Sequence, residues 1–296
     1  MPRMPSHFAV AVITALFSTL LTTGLPVSAQ PTITRCTSGF DGKDIALSER
    51  QPHDAFIASG SVVKHVSRVL PGSRSCGFGS PLPDIALGVG VAESWGVALD
   101  NSKNLFVAAG SGIFTITNIL QIAPPYTGPP IVFFSSGTNL RSLAIHGNIL
   151  YAADLCAGTI LRFDLTVGPS SVTTFASVPG VFGIFAAGVD DLFVTSNAGF
   201  TGCASGVGSN DVEHVTTGGV DTVATGLSFP EGVGGDEVNL YIAAGTVVFT
   251  VPIAGGTPSF YAGSPILFSH GVTVWKGGGY VTDSNPPGHV FKFTLL

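Results

Sequence analysis

Apolar and polar positions follow a repeated phrase along this chain. A short apolar run is followed by a polar turn and then by a second apolar run carrying one aromatic residue. Residues 96–100 lead across a turn to 105–108, 142–145 to 149–152, 183–186 to 191–194, 232–234 to 239–242, and 271–274 to 279–282. The aromatic of the second run is in turn Phe106, Tyr151, Phe193, Tyr241 and Tyr280. The turns hold Asn, Asp or Gly, which tolerate left-handed backbone, so each phrase predicts an antiparallel hairpin. A third strand is expected at 113–116, 160–163, 247–251 and 290–293, and a fourth at 131–134, 172–175, 220–224 and 259–262. A first, degenerate copy reads through 45–47, 55–58 and 62–66, with Phe56 as its aromatic.

Six repeats of four antiparallel strands predict an all-β fold, a six-bladed β-propeller. The last repeat stops after its third strand. Residues 32–35, ahead of the first repeat, supply the missing one, so an N-terminal strand is expected to complete the last blade and remove the exposed edge.

The N-terminus changes the picture of where the chain acts. Arg3 precedes an apolar run over 8–21, and Val27-Ser28-Ala29 offers small residues at a cleavage position. That order predicts a signal peptide over 1–29 and a secreted mature domain over 30–296, with no membrane span in the mature chain. Charged residues are 10% of the chain, whereas Gly contributes 39 residues and Pro 20. Low charge with many turn-formers fits short strands and tight loops. The net charge is −6, and loss of Arg3 makes it one unit more negative. An acidic chain with few cations offers no footprint for nucleic acid. A monomer is expected.

Four cysteines, Cys36, Cys76, Cys156 and Cys203, allow three pairings in an oxidising compartment. Cys156 and Cys203 follow the second strand of neighbouring repeats, which predicts a bridge between them and leaves Cys36 to pair with Cys76. No Gly-x-Ser-x-Gly elbow, His-Glu-x-x-His or complete dinucleotide fingerprint occurs.

Pro230-Glu231-Gly232-Val233 followed by Asn239-Leu240-Tyr241-Ile242-Ala243 resembles the NHL-type repeat and the wider six-bladed group that includes gluconolactonase and regucalcin. The resemblance runs from about Asp44 to Leu296. It implies that the residue before each inner strand and the residue after each second strand face one end of the central channel. The first set is Trp95, Arg141, Phe182, Glu231 and His270, and the second includes Asp154, Asn197 and Asp283. The resemblance further implies Ca2+ or another divalent cation on Glu231, Asn197, Asp154 and Asp283, as oxygen donors suit such an ion. His270 and Glu231 are then the candidate catalytic residues of a lactonase or esterase. Trp95, Arg141 and Phe182 are candidates for holding a small-molecule, protein or glycan ligand. Each residue also has a plainer use. Asp after a strand caps turns, Arg141 can pair with Glu231 or Asp154, and a buried histidine is often simply hydrogen-bonded. Two functions follow: a secreted propeller that binds a ligand or partner at its rim, or a metal-dependent hydrolase acting there.

Overall fold

The structure, a computed structural model, describes residues 31–295 apart from 39–40, 49–52, 68–75, 77, 79–80, 136, 200–207 and 276. The predicted signal over 1–29 lies outside the described residues. No helix among the described residues is long and apolar enough to cross a membrane.

Strand β1 (Ile33–Ser38) stands apart from the six repeats that follow it. The first repeat is β2 (Ile45–Leu47), β3 (Ala55–Ser59), β4 (Val62–Val66) and β5 (Ile85–Ala86). The second is β6 (Glu93–Leu99), β7 (Leu105–Gly110), β8 (Asn118–Ile122) and β9 (Ile131–Phe134), and the third β10 (Leu140–His146), β11 (Ile149–Asp154), β12 (Thr159–Asp164) and β13 (Thr173–Ser177). The fourth comprises β14 (Val181–Gly188), β15 (Asp191–Ser196), β16 (Asp211–Thr216) and β17 (Gly219–Ala224). The fifth comprises β18 (Pro230–Gly235), β19 (Asn239–Ala244), β20 (Val247–Pro252) and β21 (Ser259–Ala262). The last supplies only β22 (Ser269–Trp275), β23 (Gly278–Asp283) and β24 (His289–Thr294).

Each sheet has four strands, and the sixth is ordered β1-β24-β23-β22. β1 pairs antiparallel with β24, Ile33 opposite Phe293 and Ser38 opposite His289. The six-bladed propeller and its closure by an N-terminal strand are therefore as the repeat predicts.

One strand differs. The apolar run 113–116 is not the third strand of its blade, which lies at β8. The chain doubles back at Gly110, where an added Cβ would overlap the Thr115 carbonyl. Thr115 then closes a turn onto the Gly112 carbonyl. Ile116 is buried, while Ile113 and Phe114 are left exposed.

The core lies between blades. Phe56, Ile85, Val97 and Val107 pack where the first blade meets the second. Tyr151, Ile160, Ile184 and Val194 do the same for the third and fourth. The second-strand aromatics Phe56, Phe106, Tyr151, Phe193, Tyr241 and Tyr280 are all buried. Each fills the gap that two twisted sheets leave, which is why the repeat carries one bulky ring per copy.

Cys36 on β1 is bonded to Cys76, with Cα atoms 4.9 Å apart, and this bridge fastens the closing strand to the first repeat. Cys156 is also disulfide-bonded. Cys203, its expected partner, lies outside the described residues.

Candidate functional site

The inner strands converge so tightly that the position just inside each is small in five repeats: Gly96, Ser142, Gly183, Gly232 and Gly271, with Asp44 in the first. A methyl group at Gly232 would overlap the carbonyl oxygen of His270, and one at Gly183 that of Glu231. The residue before each small one holds the candidate site position. That set is Lys43, Trp95, Arg141, Phe182, Glu231 and His270, one per blade.

The five residues read from the sequence are all buried, and each touches at least one of the others. The Arg141 guanidinium lies 3.9 Å from the centre of the Trp95 ring and 5.6 Å from that of Phe182. Trp95 meets Phe182 edge-on at 5.6 Å and His270 at 5.3 Å. An Arg on a Trp face is stabilised by the ring quadrupole, and more so where water is excluded. Arg141 also donates to the Ile113 carbonyl at 2.7 Å, which explains why the displaced run sits over the rim. Burial lowers the Arg141 pKa to about 10, against the pull of Glu231 and Glu93, so it stays a cation at neutral pH.

Glu231 does not take Arg141 as its hydrogen-bond partner. Its Oε2 meets Nδ1 of His270. The other edge of the imidazole, Nε2, lies 2.6 Å from the Ser284 hydroxyl oxygen. Phe268 packs against His270 at 4.9 Å. An ionised carboxylate only accepts, so Glu231 holds the proton on Nδ1 and leaves Nε2 as an acceptor.

Asp154 and Asp283 end β11 and β23, Asn197 follows β15, and their side chains bond mainly to backbone. Asp154 accepts from the Thr138 and Asn139 amides at 2.8 and 2.9 Å and from the Thr138 hydroxyl at 2.5 Å. Asp283 accepts from the Leu267, Phe268 and Asn285 amides at 2.9, 3.0 and 2.9 Å. Asn197 accepts from the Gly199 amide at 2.7 Å and donates to the Pro230 carbonyl at 3.1 Å. Among the described residues no three His, Cys, Asp or Glu side chains are grouped to hold a metal ion. The donor set does not fit a calcium site: Glu231 is paired with His270 and the others tie loops to the strands that flank them. Asp283 thereby fixes the loop that leads into His270.

Two rim residues escape the sequence reading. Lys43, whose ammonium lies 5.0 Å from the Trp95 ring, occupies the ring position in the first repeat. It precedes Asp44 as Trp95 precedes Gly96, and aligning those two copies locates it. Ser284 belongs to no motif and follows Asp283 in a loop.

Below the ring, the inner strands surround a cavity of about 410 Å³, lined by Asp44, Val97, Ser142, Ile184, Gly232 and Val272 among others. Asp44 lines this channel and is only partly exposed. Burial raises its pKa from 3.8 to about 7, although the amides of Ile45 and Val97 donate to it and lower it. Between those values the folded chain holds a proton that the unfolded chain has lost, so Asp44 makes stability fall as pH rises from about 4 to about 7. Asp44→Asn is expected to flatten that slope, read as the urea midpoint across the same pH range. An unchanged slope would remove Asp44 as its source.

No protein-family model matches the chain, and no curated protein matches it. Solved structures do. A gluconolactonase from Xanthomonas campestris is 14% identical over 90% of this chain and 95% of its own, with a TM-score of 0.63. A catalytically inactive virginiamycin B lyase from Staphylococcus aureus, carrying a His-to-Ala substitution and solved with quinupristin, is 14% identical over 86% and 82%, with a TM-score of 0.56. A chain from a nidogen/laminin complex is 14% identical over 78% and 85%, with a TM-score of 0.62. The architecture is thus that of gluconolactonase-like six-bladed propellers. Such a likeness establishes fold, and one fold hosts many activities.

Proposed function

We propose that this chain is a hydrolase of esters or lactones, with His270 as its proton-transferring base and Glu231 as the residue that positions it. The observation that carries this reading is the imidazole itself. It is 4% exposed, its Nδ1 is committed to a carboxylate that is 3% exposed, and its Nε2 faces a partly exposed loop. A base oriented by a dry carboxylate, with its other edge on a partly exposed hydroxyl, is an arrangement suited to general-base catalysis. The shared architecture with a gluconolactonase supports the substrate class, and the inactive His-to-Ala lyase is a precedent for a working histidine in this architecture. The disulfide Cys36–Cys76 and the export-type N-terminus support action outside the cytoplasm.

The substrate's non-reacting part is inferred to be apolar. Ile113, Phe114, Phe229, Leu267 and Phe268 are exposed; the Ile113 carbonyl accepts from Arg141, the Leu267 and Phe268 amides donate to Asp283, and Phe229 lies two residues before Glu231. The same collar favours the second reading, a rim that binds a partner without chemistry, since exposed apolar patches mark interaction surfaces. A panel of aryl esters and lactones separates the two. Turnover with addition of water supports the hydrolase, and its persistence in EDTA is expected because the donors here do not fit a metal. A folded protein inactive on the whole panel, with and without added calcium, defeats it.

A further inference from the structure

Ser284 completes a chain of three groups. Glu231 meets Nδ1 of His270, and Nε2 of the same ring meets the Ser284 hydroxyl at 2.6 Å. We infer that Ser284 is the nucleophile of this site, forming a covalent acyl-enzyme through His270 and Glu231. The inference rests on the hydrolase reading above. It replaces a water attacking the substrate directly with a serine that attacks first.

Three observations carry it. The first is the order carboxylate, imidazole, hydroxyl, with the carboxylate on Nδ1 and the hydroxyl on Nε2. Such a triad is recognised by geometry and roles, not by position in the sequence. The second is the gradient of exposure. Glu231 and His270 are buried, whereas Ser284 is partly exposed, so solvent and substrate reach the hydroxyl end. The place where a hydrolytic water would contact Nε2 is held by the Ser284 oxygen. The third is how firmly Ser284 is placed. Its amide donates to the Phe268 carbonyl at 3.1 Å, and the flanking Asp283 caps Leu267, Phe268 and Asn285. Phe268 is two residues from His270 and packs on its ring. The nucleophile and the base are therefore tied to one rigid piece of backbone, as a precise site requires.

The steps balance. The Ser284 Oγ–H proton passes to Nε2 as Oγ bonds to the acyl carbon, and the carbonyl electrons move onto oxygen. The C–O bond to the alcohol then breaks, and that alcohol leaves with the proton from Nε2. Water, the co-reactant, next gives a proton to Nε2 and bonds to the acyl carbon. Oγ departs and recovers its proton, releasing the acid. For a lactone the leaving alcohol stays tethered to the same product. Trp95 is 94% buried in the sense that 6% of its surface is exposed, and its indole N–H has no acceptor among the described residues.

The test is a fluorophosphonate probe with mass spectrometry on the wild-type chain, beside ester turnover in wild type and Ser284→Ala. One adduct per chain on the peptide holding Ser284 is expected, with labelling slowed about 10²-fold or more in His270→Gln, the scale of a lost general base. Loss of turnover in Ser284→Ala, with an unchanged circular dichroism spectrum, is the matching result. Turnover that survives in Ser284→Ala, with no adduct at Ser284 in wild type, overturns the nucleophile and leaves the hydrolase reading standing on activated water. An adduct at Ser284 without turnover of any ester supports the nucleophile and defeats the hydrolase reading. Neither adduct nor turnover defeats both. The wild-type labelling needs no variant to fold.

Discussion

Replacing His270 by Gln is expected to lower kcat/KM for ester hydrolysis by about 10²–10⁴-fold, the contribution of a positioned proton-transfer group. Glutamine is close in size and polar, so the buried slot between Glu231 and Ser284 keeps a hydrogen-bonding occupant. What it lacks is a basic nitrogen at the Nε2 position. Glu231→Gln tests the positioning role separately. An amide offers both a donor and an acceptor to Nδ1, so it no longer fixes which ring nitrogen carries the proton. Because Glu231 is remote from the exposed end, kcat is expected to fall with KM nearly unchanged. A residue that only held the fold together would instead show a lower melting temperature without that split. Full activity in His270→Gln would make the histidine structural.

The fold was legible because its signal is redundant. Six copies of one phrase place Phe56, Phe106, Tyr151, Phe193, Tyr241 and Tyr280 between blades, and an error in one copy does not move the others. The one departure, at 113–116, is an apolar run that stands outside the sheet, with Ile113 bonded to Arg141. Composition cannot distinguish the two, since the deciding facts are the tight turn at Gly110 and the Arg141 bond to the Ile113 carbonyl. The ring was legible for the same reason as the blades. Trp95, Arg141, Phe182, Glu231 and His270 share one repeat position, and position fixes which end of the axis a side chain reaches. What that position does not encode is who pairs with whom. Glu231 bonds His270, not Arg141, and Asp154 and Asp283 spend their oxygens on amides that only the folded loops bring near. Ser284 was invisible because a serine in a turn is commonplace, and its significance comes from a contact 14 residues away in sequence.

Converting Cys36 and Cys76 together to Ala is expected to destabilise the propeller by about 4 kcal/mol, the loop-entropy value for a cross-link closing roughly 40 residues. The expectation is specific to where the bridge lies. β1 belongs to the last sheet but precedes the first repeat, so the ring is closed by one strand ladder rather than by covalent continuity. The disulfide joins that strand to the first repeat, and the Phe78 ring stacked on Tyr280 at 5.6 Å adds a second fastening across the same seam. Without the bridge, release of β1 exposes the edge of β24 and the buried Phe291 and Phe293 beside it. Urea unfolding measures the loss as a lower midpoint, and aggregation during refolding is the expected companion of an open edge. The site should feel it too, because His270 and Ser284 both belong to the blade that β1 completes. Ester turnover in the double variant is therefore expected to fall at urea concentrations where the wild type is unaffected. An unchanged midpoint would mean that the β1–β24 ladder closes the ring unaided.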